Sequence, residues 1–240
     1  MPTHPANRRS PFAAAVVPRP RRRDDREGAR QRTRNDLLEA AGHVFAEKGL
    51  DGATGKEICE RAGTNTAAVN YYFGGMEGLY AAVLEEANRR MVPLETLSSA
   101  VAGKPDARAK LQAIIELVAD RVLGPASSSW VLGVISREVV APSAAIDKLI
   151  DKQGLPKARI IKSIVGELMA LPPEHPAVAL GCLSIGAPFL MMLIGDRRTM
   201  KRMFPSLTLR GGDTAGLSRY MLQYALAGLA ALAREVRKTG

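Results

Sequence analysis

Glycines set the frame of the N-terminal third of this chain. In the stretch TGKEICERAGTNTAAVNYYFGG, Thr54 to Gly75, Gly63 divides two segments that each have room for about two helical turns, and Gly74-Gly75 ends the second. Thr54 and Glu57 stand at capping-box spacing, so Thr54 can accept an amide of the first turn while Glu57 reaches back. The second helix is expected over roughly 66–72, with Asn65 as N-cap. Two short helices crossing at a glycine are the plan of a helix-turn-helix. Ile58, Ala62, Val69 and Tyr72 fall where the two helices would lock together, and Cys59 reads as a small packing residue between them.

With Val69 and Phe73 turned inward, 100° per residue sends Ala67, Ala68, Asn70 and Tyr71 outward. The alanines leave the backbone bare enough to approach a groove, and an alanine methyl can touch a thymine methyl. Asn70 suits a base edge or a phosphate, and Tyr71 joins a flat apolar ring to a hydroxyl for a phosphate oxygen. The helix starts at Thr64, Asn65 and Thr66 and at Thr54 are expected to aim free amides outward, where phosphates bind. A face poor in charge but dense in amides, hydroxyls and methyls suits duplex DNA better than water.

The rest of the chain shows helical periodicity and no strand-like alternation of any length, so the expected fold class is all-α. Leu37, Leu38, Ala41, Val44 and Phe45 form one stripe of a first helix that stops at Gly49. A longer helix runs from Met76 toward Pro93, followed by a loop with Gly103 and Pro105. Further helices are expected over roughly 106–123, 128–140, 143–169 (with a break near Gly154–Pro156), 176–194 and 213–237. The domain plan is a disordered basic tail over 1–31, a helix-turn-helix over 32–76 and a helical body over 77–240.

At 46% hydrophobic and 24% charged, with no internal repeats, 240 residues are enough for a real core. No apolar run reaches the ~18 residues of a membrane span. The windows around Leu180–Ile194 and Tyr220–Leu232 are broken by Gly181, Gly186, Pro188 and Gly228 and read as buried or interface helices. The N-terminal apolar patch, Phe12–Val17, is shorter than the ~7–15 residues of a signal-peptide core. Two distant cysteines, Cys59 and Cys182, form no disulfide framework, so a cytoplasmic protein without membrane contact is expected. The net charge of +10 is uneven: residues 1–34 hold ten Arg against three Asp/Glu. That excess is either a solvated tail or an aid to phosphate contact.

No catalytic constellation, cofactor loop or metal site is expected. His4, His43 and His175 are scattered, no Gly-rich phosphate loop is present, and the cysteines lack metal-ligand spacing.

The segments LLEAAGHVFAEKGLDGAT, ICERAG and VNYYFGGMEGLYAAVL, within about residues 32–84, resemble the DNA-binding domain of the TetR family of bacterial transcriptional regulators. GATGKEICERAG, AAVNYYFGG and REVVAPS at 137–143, with CLSIGAPF and YALAGLAALAR further on, are most similar to its CecR-like subgroup. The resemblance implies a double-stranded DNA operator as partner, contacted by Arg32, Arg34, Thr54, Thr64, Asn65, Thr66, Ala67, Asn70 and Tyr71. Tyr72 is included although its phase turns it inward; it stands where such regulators often carry a histidine. Met76 replaces a lysine that ordinarily meets the DNA backbone.

The resemblance further implies a homodimer, a repressor released from a palindromic operator, and an unknown small-molecule effector held in the body. A single trihelical head reads only a half-site, which favours twofold pairing. Helices 176–194 and 213–237 carry small residues among large apolar ones and are expected to form the dimer interface, against burial inside one subunit. Trp130, Arg137, Met169, Phe189 and Met192 are the candidate pocket residues, with ordinary packing as the alternative for each. An activator, or a ligand-independent, weakly specific architectural DNA binder, is the competing reading.

Overall fold

The computed structural model describes residues 22–123, 129–206 and 214–239; the expectations for residues 1–21, His4 among them, lie outside the described residues. Within them there are helices and no strands. The head is built from α1 (Arg22–Lys48), α2 (Gly55–Arg61), α3 (Ala67–Phe73) and α4 (Met76–Met91). The body follows with α5 (Leu94–Val101), α6 (Ala107–Leu123), α7 (Trp130–Val140) and α8 (Ala144–Leu149). A π-turn over Ile150–Gly154 carries α8 into α9 (Leu155–Met169), and α10 (Pro176–Ile194), α11 (Arg197–Met203) and α12 (Thr214–Thr239) complete the chain.

Several elements depart from the expected plan. Residues 22–31, assigned to a disordered tail, are the first turns of α1. Their charge pattern has no apolar stripe to announce a helix, which the buried residues from Leu37 onward extend backward. The loop expected after Pro93 contains α5, anchored by the buried Leu97, and α11 is likewise additional. The break near Gly154 is a π-turn that keeps the chain helical. By length and composition α10, at mean hydropathy 2.2, is apolar enough to cross a membrane, against the expectation that no run suffices.

The head core gathers Leu37, Ala41, Val44 and Phe45 of α1 around Ile58 and Cys59 of α2 and Val69 of α3. It does not end at residue 76. Leu79, Tyr80, Val83 and Leu84 of α4 belong to it, as do Trp130, Val131 and Val134 of α7. Phe45 and Tyr80 meet edge to face, with ring centroids 4.9 Å apart. A second core in the body joins α5, α6, α9, α10 and α12 through Leu97, Leu111, Val165, Val178 and Leu229.

Candidate nucleic-acid interface

The turn between α2 and α3 is a Schellman motif. The Thr64 amide donates to the Cys59 carbonyl at 2.9 Å and the Gly63 amide to the Glu60 carbonyl at 3.2 Å. Gly63 adopts φ +66, a left-handed conformation that a side chain would resist. The Thr64 amide is therefore engaged, not free for phosphate as expected. Thr54 does cap α2, accepting from the Glu57 amide at 3.2 Å. Glu57 does not reach back to complete a capping box; it accepts from Lys48 at 2.7 Å and from Arg61 at 3.2 Å. At α3 the N-cap position is Thr66, not Asn65, and no side chain caps the helix.

Asn65, Thr66, Ala67, Asn70 and Tyr71 are exposed on one side of this unit, Tyr71 at 63%. Ala68, expected on that face, is buried: 100° steps place it beside Val69 on the flank facing the rest of the head. Tyr72 is half-buried and packs on the head core, as does Met76, whose sulfur approaches Gly55 at the start of α2. The methionine replaces a lysine's reach with packing between α2 and α4.

The extra turns of α1 lie beside α3. Arg30 donates to the Tyr71 hydroxyl, and its guanidinium carbon sits 5.5 Å from that ring's centroid. Arg34, one turn on, lies 5.1 Å from the Phe73 centroid. Tyr71 and Tyr72 stack edge to face at 4.8 Å. Glu27, Arg30, Gln31, Arg34, Tyr71 and Tyr72 together line an open groove of about 470 Å³. Arg32 is exposed but, two residues from each neighbour, projects from the opposite side of α1. Arg30 is thus the functional candidate missed in the sequence; its i, i+4 relation to Arg34 is the signal, obscured because residues 22–31 carry no apolar stripe that marks a helix.

None of the five candidate pocket residues lines either of the two cavities beside α8. The Trp130 indole donates to Glu39 Oε2 at 2.6 Å and lies under the Arg90 guanidinium, 5.1 Å from the ring centroid. Arg137 donates from Nε to the Ala46 carbonyl at 2.9 Å and from Nη2 to the Glu47 carbonyl at 2.5 Å, closing the C-terminus of α1. Met169 and Phe189 are buried in the body core. Met192 is half-exposed on α10 and lines neither cavity described below.

The cavities flank α8 where it lies against α4. One, about 360 Å³, has almost wholly apolar walls, including Leu84, Ile135, Val139, Ile146 and Ile150, with Asn88 and Glu138 at its edge. Asn88 Oδ1 accepts from Lys157 at 2.7 Å, and burial pulls the pKa of that lysine down. The other is a cleft of about 460 Å³ between α4, α8 and Leu50. Between them the Tyr80 hydroxyl donates to Glu138 Oε1 at 2.5 Å, and the Ser143 amide donates to Glu138 Oε2 at 3.0 Å. Burial, then the hydrogen bond to Glu138 and its charge, push the Tyr80 phenol well above its ordinary 10.0. Among the described residues no three His, Cys, Asp or Glu side chains come together to hold a metal ion.

Residues 37–83 match the bacterial regulatory proteins of the tetR family, and residues 107–232 match the C-terminal domain of the HTH-type transcriptional dual regulator CecR. The HTH-type transcriptional regulator BetI of Paraburkholderia phytofirmans is 32% identical over 105 residues, 43% of this chain and 53% of that protein. BetI 2 of Chromohalobacter salexigens is 38% identical over 40% of this chain and 48% of its own length. The chain thus spans about half the length of the curated relatives it matches. Among solved structures, the transcriptional regulator FadR from Bacillus subtilis in complex with stearoyl-CoA aligns at TM-score 0.60 and 18% identity, covering 81% of this chain and 98% of that one. AibR in complex with isovaleryl coenzyme A and operator DNA aligns at 0.61 and 15%, covering 79% and 96%. At such identities the structural likeness speaks for the fold.

Proposed function

The chain belongs to the TetR family of bacterial regulatory proteins, with a CecR-type C-terminal domain, and on that premise we propose that it is a homodimeric repressor that leaves a palindromic operator when a small molecule binds its body. The observation that carries the DNA reading is the exposed face of α3, where Asn70 and Tyr71 stand beside Arg30 and Arg34. Tyr71 and Arg34 address phosphates, and Ala67 and Asn70 address base edges. Thr54 keeps its hydroxyl proton for a phosphate oxygen, since the oxygen accepts from Glu57.

The dimer reading rests on α10 and α12, which pack together and each turn an apolar face outward. Leu180, Leu183, Ala187, Leu190 and Ile194 recur alternately three and four residues apart on the exposed side of α10. Tyr220, Tyr224, Ala227 and Ala231 recur four, three and four residues apart on the exposed side of α12, with Gly228 exposed beside Ala227. Nothing stands within 4 Å of a Cβ built on Gly186 or Gly228, which leaves room for a partner helix. Gly181, expected at this interface, serves the subunit interior: a Cβ there would meet Leu229 Cδ2 at 2.6 Å. A self-complementary apolar face of this kind suits a twofold dimer, and it accounts for the hydropathy of α10 without a membrane.

The effector reading rests on α4, which contributes to the head core and also walls the 360 Å³ cavity through Leu84 and Asn88. Two of the structural neighbours, FadR and AibR, hold acyl-CoA ligands; the lining here suits a small apolar group. A ligand that shifts α4 alters the separation of the two α3 helices, and half-site spacing is a geometric requirement. The protein acts in this reading on DNA in the cytoplasm. Footprinting on DNA flanking its own gene tests it, with competitor DNA at rising salt. Protection of a palindrome that survives excess non-specific DNA is the expected result. A steep salt slope without sequence preference would replace it with the architectural reading.

A further inference from the structure

The 460 Å³ cleft beside α8 is a different space from the effector cavity. Tyr80 lines the cleft and Glu138 the cavity, so the hydrogen bond between them forms part of the partition. The walls of the cleft come from both halves of the molecule: Leu50, Tyr80, Ala81 and Leu84 from the head and α4, Ala145 and Leu149 from α8. Its size lies within the range of small-molecule sites.

Two polar features of this cleft have no use inside the protein. Ser143 Oγ is buried from solvent and has no hydrogen-bond partner, although the residue's own amide is bonded to Glu138. A buried hydroxyl left unpaired is costly, and a ligand atom can relieve that cost. At the mouth stand Glu77, Glu85, Lys148 and Lys152. Lys152 pairs with Glu85 at 3.7 Å. Glu77 sits in the first turn of α4, where its charge meets the free amides of that helix end. Lys148 has no helix end to complement, because α8 continues through the π-turn into α9. Among the described residues it is the mouth cation without an ion pair.

We propose that this cleft is a second ligand site, for a small organic anion with an apolar body. Lys148 takes the anionic group, the apolar body lies between Leu50 and Tyr80 on one side and Ala145 and Leu149 on the other, and Ser143, its side chain turned so that Oγ enters the cleft, bonds a polar atom along it. Because Leu50 and α4 are head and α8 is body, an occupant bridges the two. That last consequence rests on the regulator reading; binding itself does not, so it is measured apart from DNA.

The probe is 8-anilinonaphthalene-1-sulfonate, titrated by fluorescence into the full chain, with N-phenyl-1-naphthylamine as its uncharged counterpart. Ala145 lines only the cleft and Val139 only the cavity. Ala145→Phe is expected to abolish the saturable binding of the sulfonate, and Val139→Trp to leave it intact. Ser143→Ala and Lys148→Gln, which leave the packing untouched, keep the test open if Ala145→Phe fails to fold. Lys148→Gln is expected to weaken the sulfonate by about two- to fivefold, the scale of a partly exposed ion pair, with no change for the amine. Equal loss of both dyes in Lys148→Gln would overturn the anion, and binding unchanged by Ala145→Phe, Ser143→Ala and Lys148→Gln would overturn the site. Loss in Val139→Trp alone would move the ligand to the effector cavity and overturn this proposal while sparing the reading of that cavity.

Discussion

The indole of Trp130 fills the space that a side chain at residue 42 would need: a Cβ built on Gly42 would lie 2.3 Å from ring carbon Cδ2. Helix α7 of the body therefore touches the backbone of α1 in the head, and the same indole is tied to Glu39. Gly42→Ala should destabilise the protein by about 1–3 kcal/mol through overpacking, outweighing the ~1 kcal/mol that alanine offers a helix. Gly28→Ala is the control on the same helix, since its Cβ would meet only Arg32 Nη1 at 3.8 Å. Urea unfolding that ranks the two variants equal would contradict this account of the joint.

Arg137 holds the same joint from the other end of α1. Its removal in Arg137→Ala frees the Ala46 and Glu47 carbonyls and should cost about 1–2 kcal/mol. Arg137→Lys should recover little, because one ammonium cannot reproduce a fork that binds two carbonyls from two nitrogens. Chemical denaturation of the two variants beside the parent checks the difference.

Acid should loosen the joint as well. Burial pushes the Glu39 carboxyl upward, but the hydrogen bonds from Arg90 and Trp130 and the Arg90 charge outweigh it and hold the pKa below the ordinary 4.5. Glu86, bonded first to Arg89 and then to Arg90, is also held below 4.5. A carboxyl whose pKa falls on folding binds its proton more readily unfolded. Its stabilisation is complete above 4.5 and is lost as pH drops through the lower folded value. Melting temperatures between pH 6 and 3 should fall less steeply in Glu39→Gln than in the parent; parallel curves would show that Glu39 carries none of the dependence.

At the DNA face, Tyr71→Ala with Asn70→Ala should reduce operator affinity by at least about tenfold, since each lost contact is worth about 1–3 kcal/mol. The melting temperature should stay near the parent's, because both residues are exposed. Arg30→Ala should weaken binding across all sequences and lower the salt slope by about one. A gel-shift series over salt concentration separates these effects, and unchanged affinity in the double variant would displace the recognition surface.

Leu183→Glu places a charge on the 68%-exposed centre of the outward face of α10. Sedimentation should then show the parent as a dimer and the variant as a monomer, with operator binding lost and the helical circular dichroism retained in the variant. A dimer persisting in both Leu183→Glu and Leu190→Glu would place the interface elsewhere.

The fold class was legible because helix formation leaves a local record. The stripe from Leu37 to Phe45, the Thr54 cap and the glycine at 63 each act within a few residues, and α2, α4, α6, α7, α9, α10 and α12 stand close to where periodicity places them. The outward face of α3 was legible for Asn70 and Tyr71 by the same angular arithmetic. It failed for Ala68, where a residue 100° from the core direction is covered by a neighbour that no local pattern names.

What the sequence by itself determined is the helical architecture, the helix-turn-helix and the residues that a short α3 can present. Only the tertiary structure decided what those helices are for. Trp130, a candidate for an apolar pocket wall, and Arg137, a candidate for a ligand's anionic group, are fasteners of α7 on α1, because their partners Glu39, Ala46 and Glu47 lie some ninety residues away. Arg30 joins Tyr71 across forty-one residues, and the two cavities exist only because α8 and its π-turn fall against α4. Helix propensity and capping are set by neighbours in the chain, whereas cavities, buried partners and shared surfaces depend on which helices meet, and that is settled by packing.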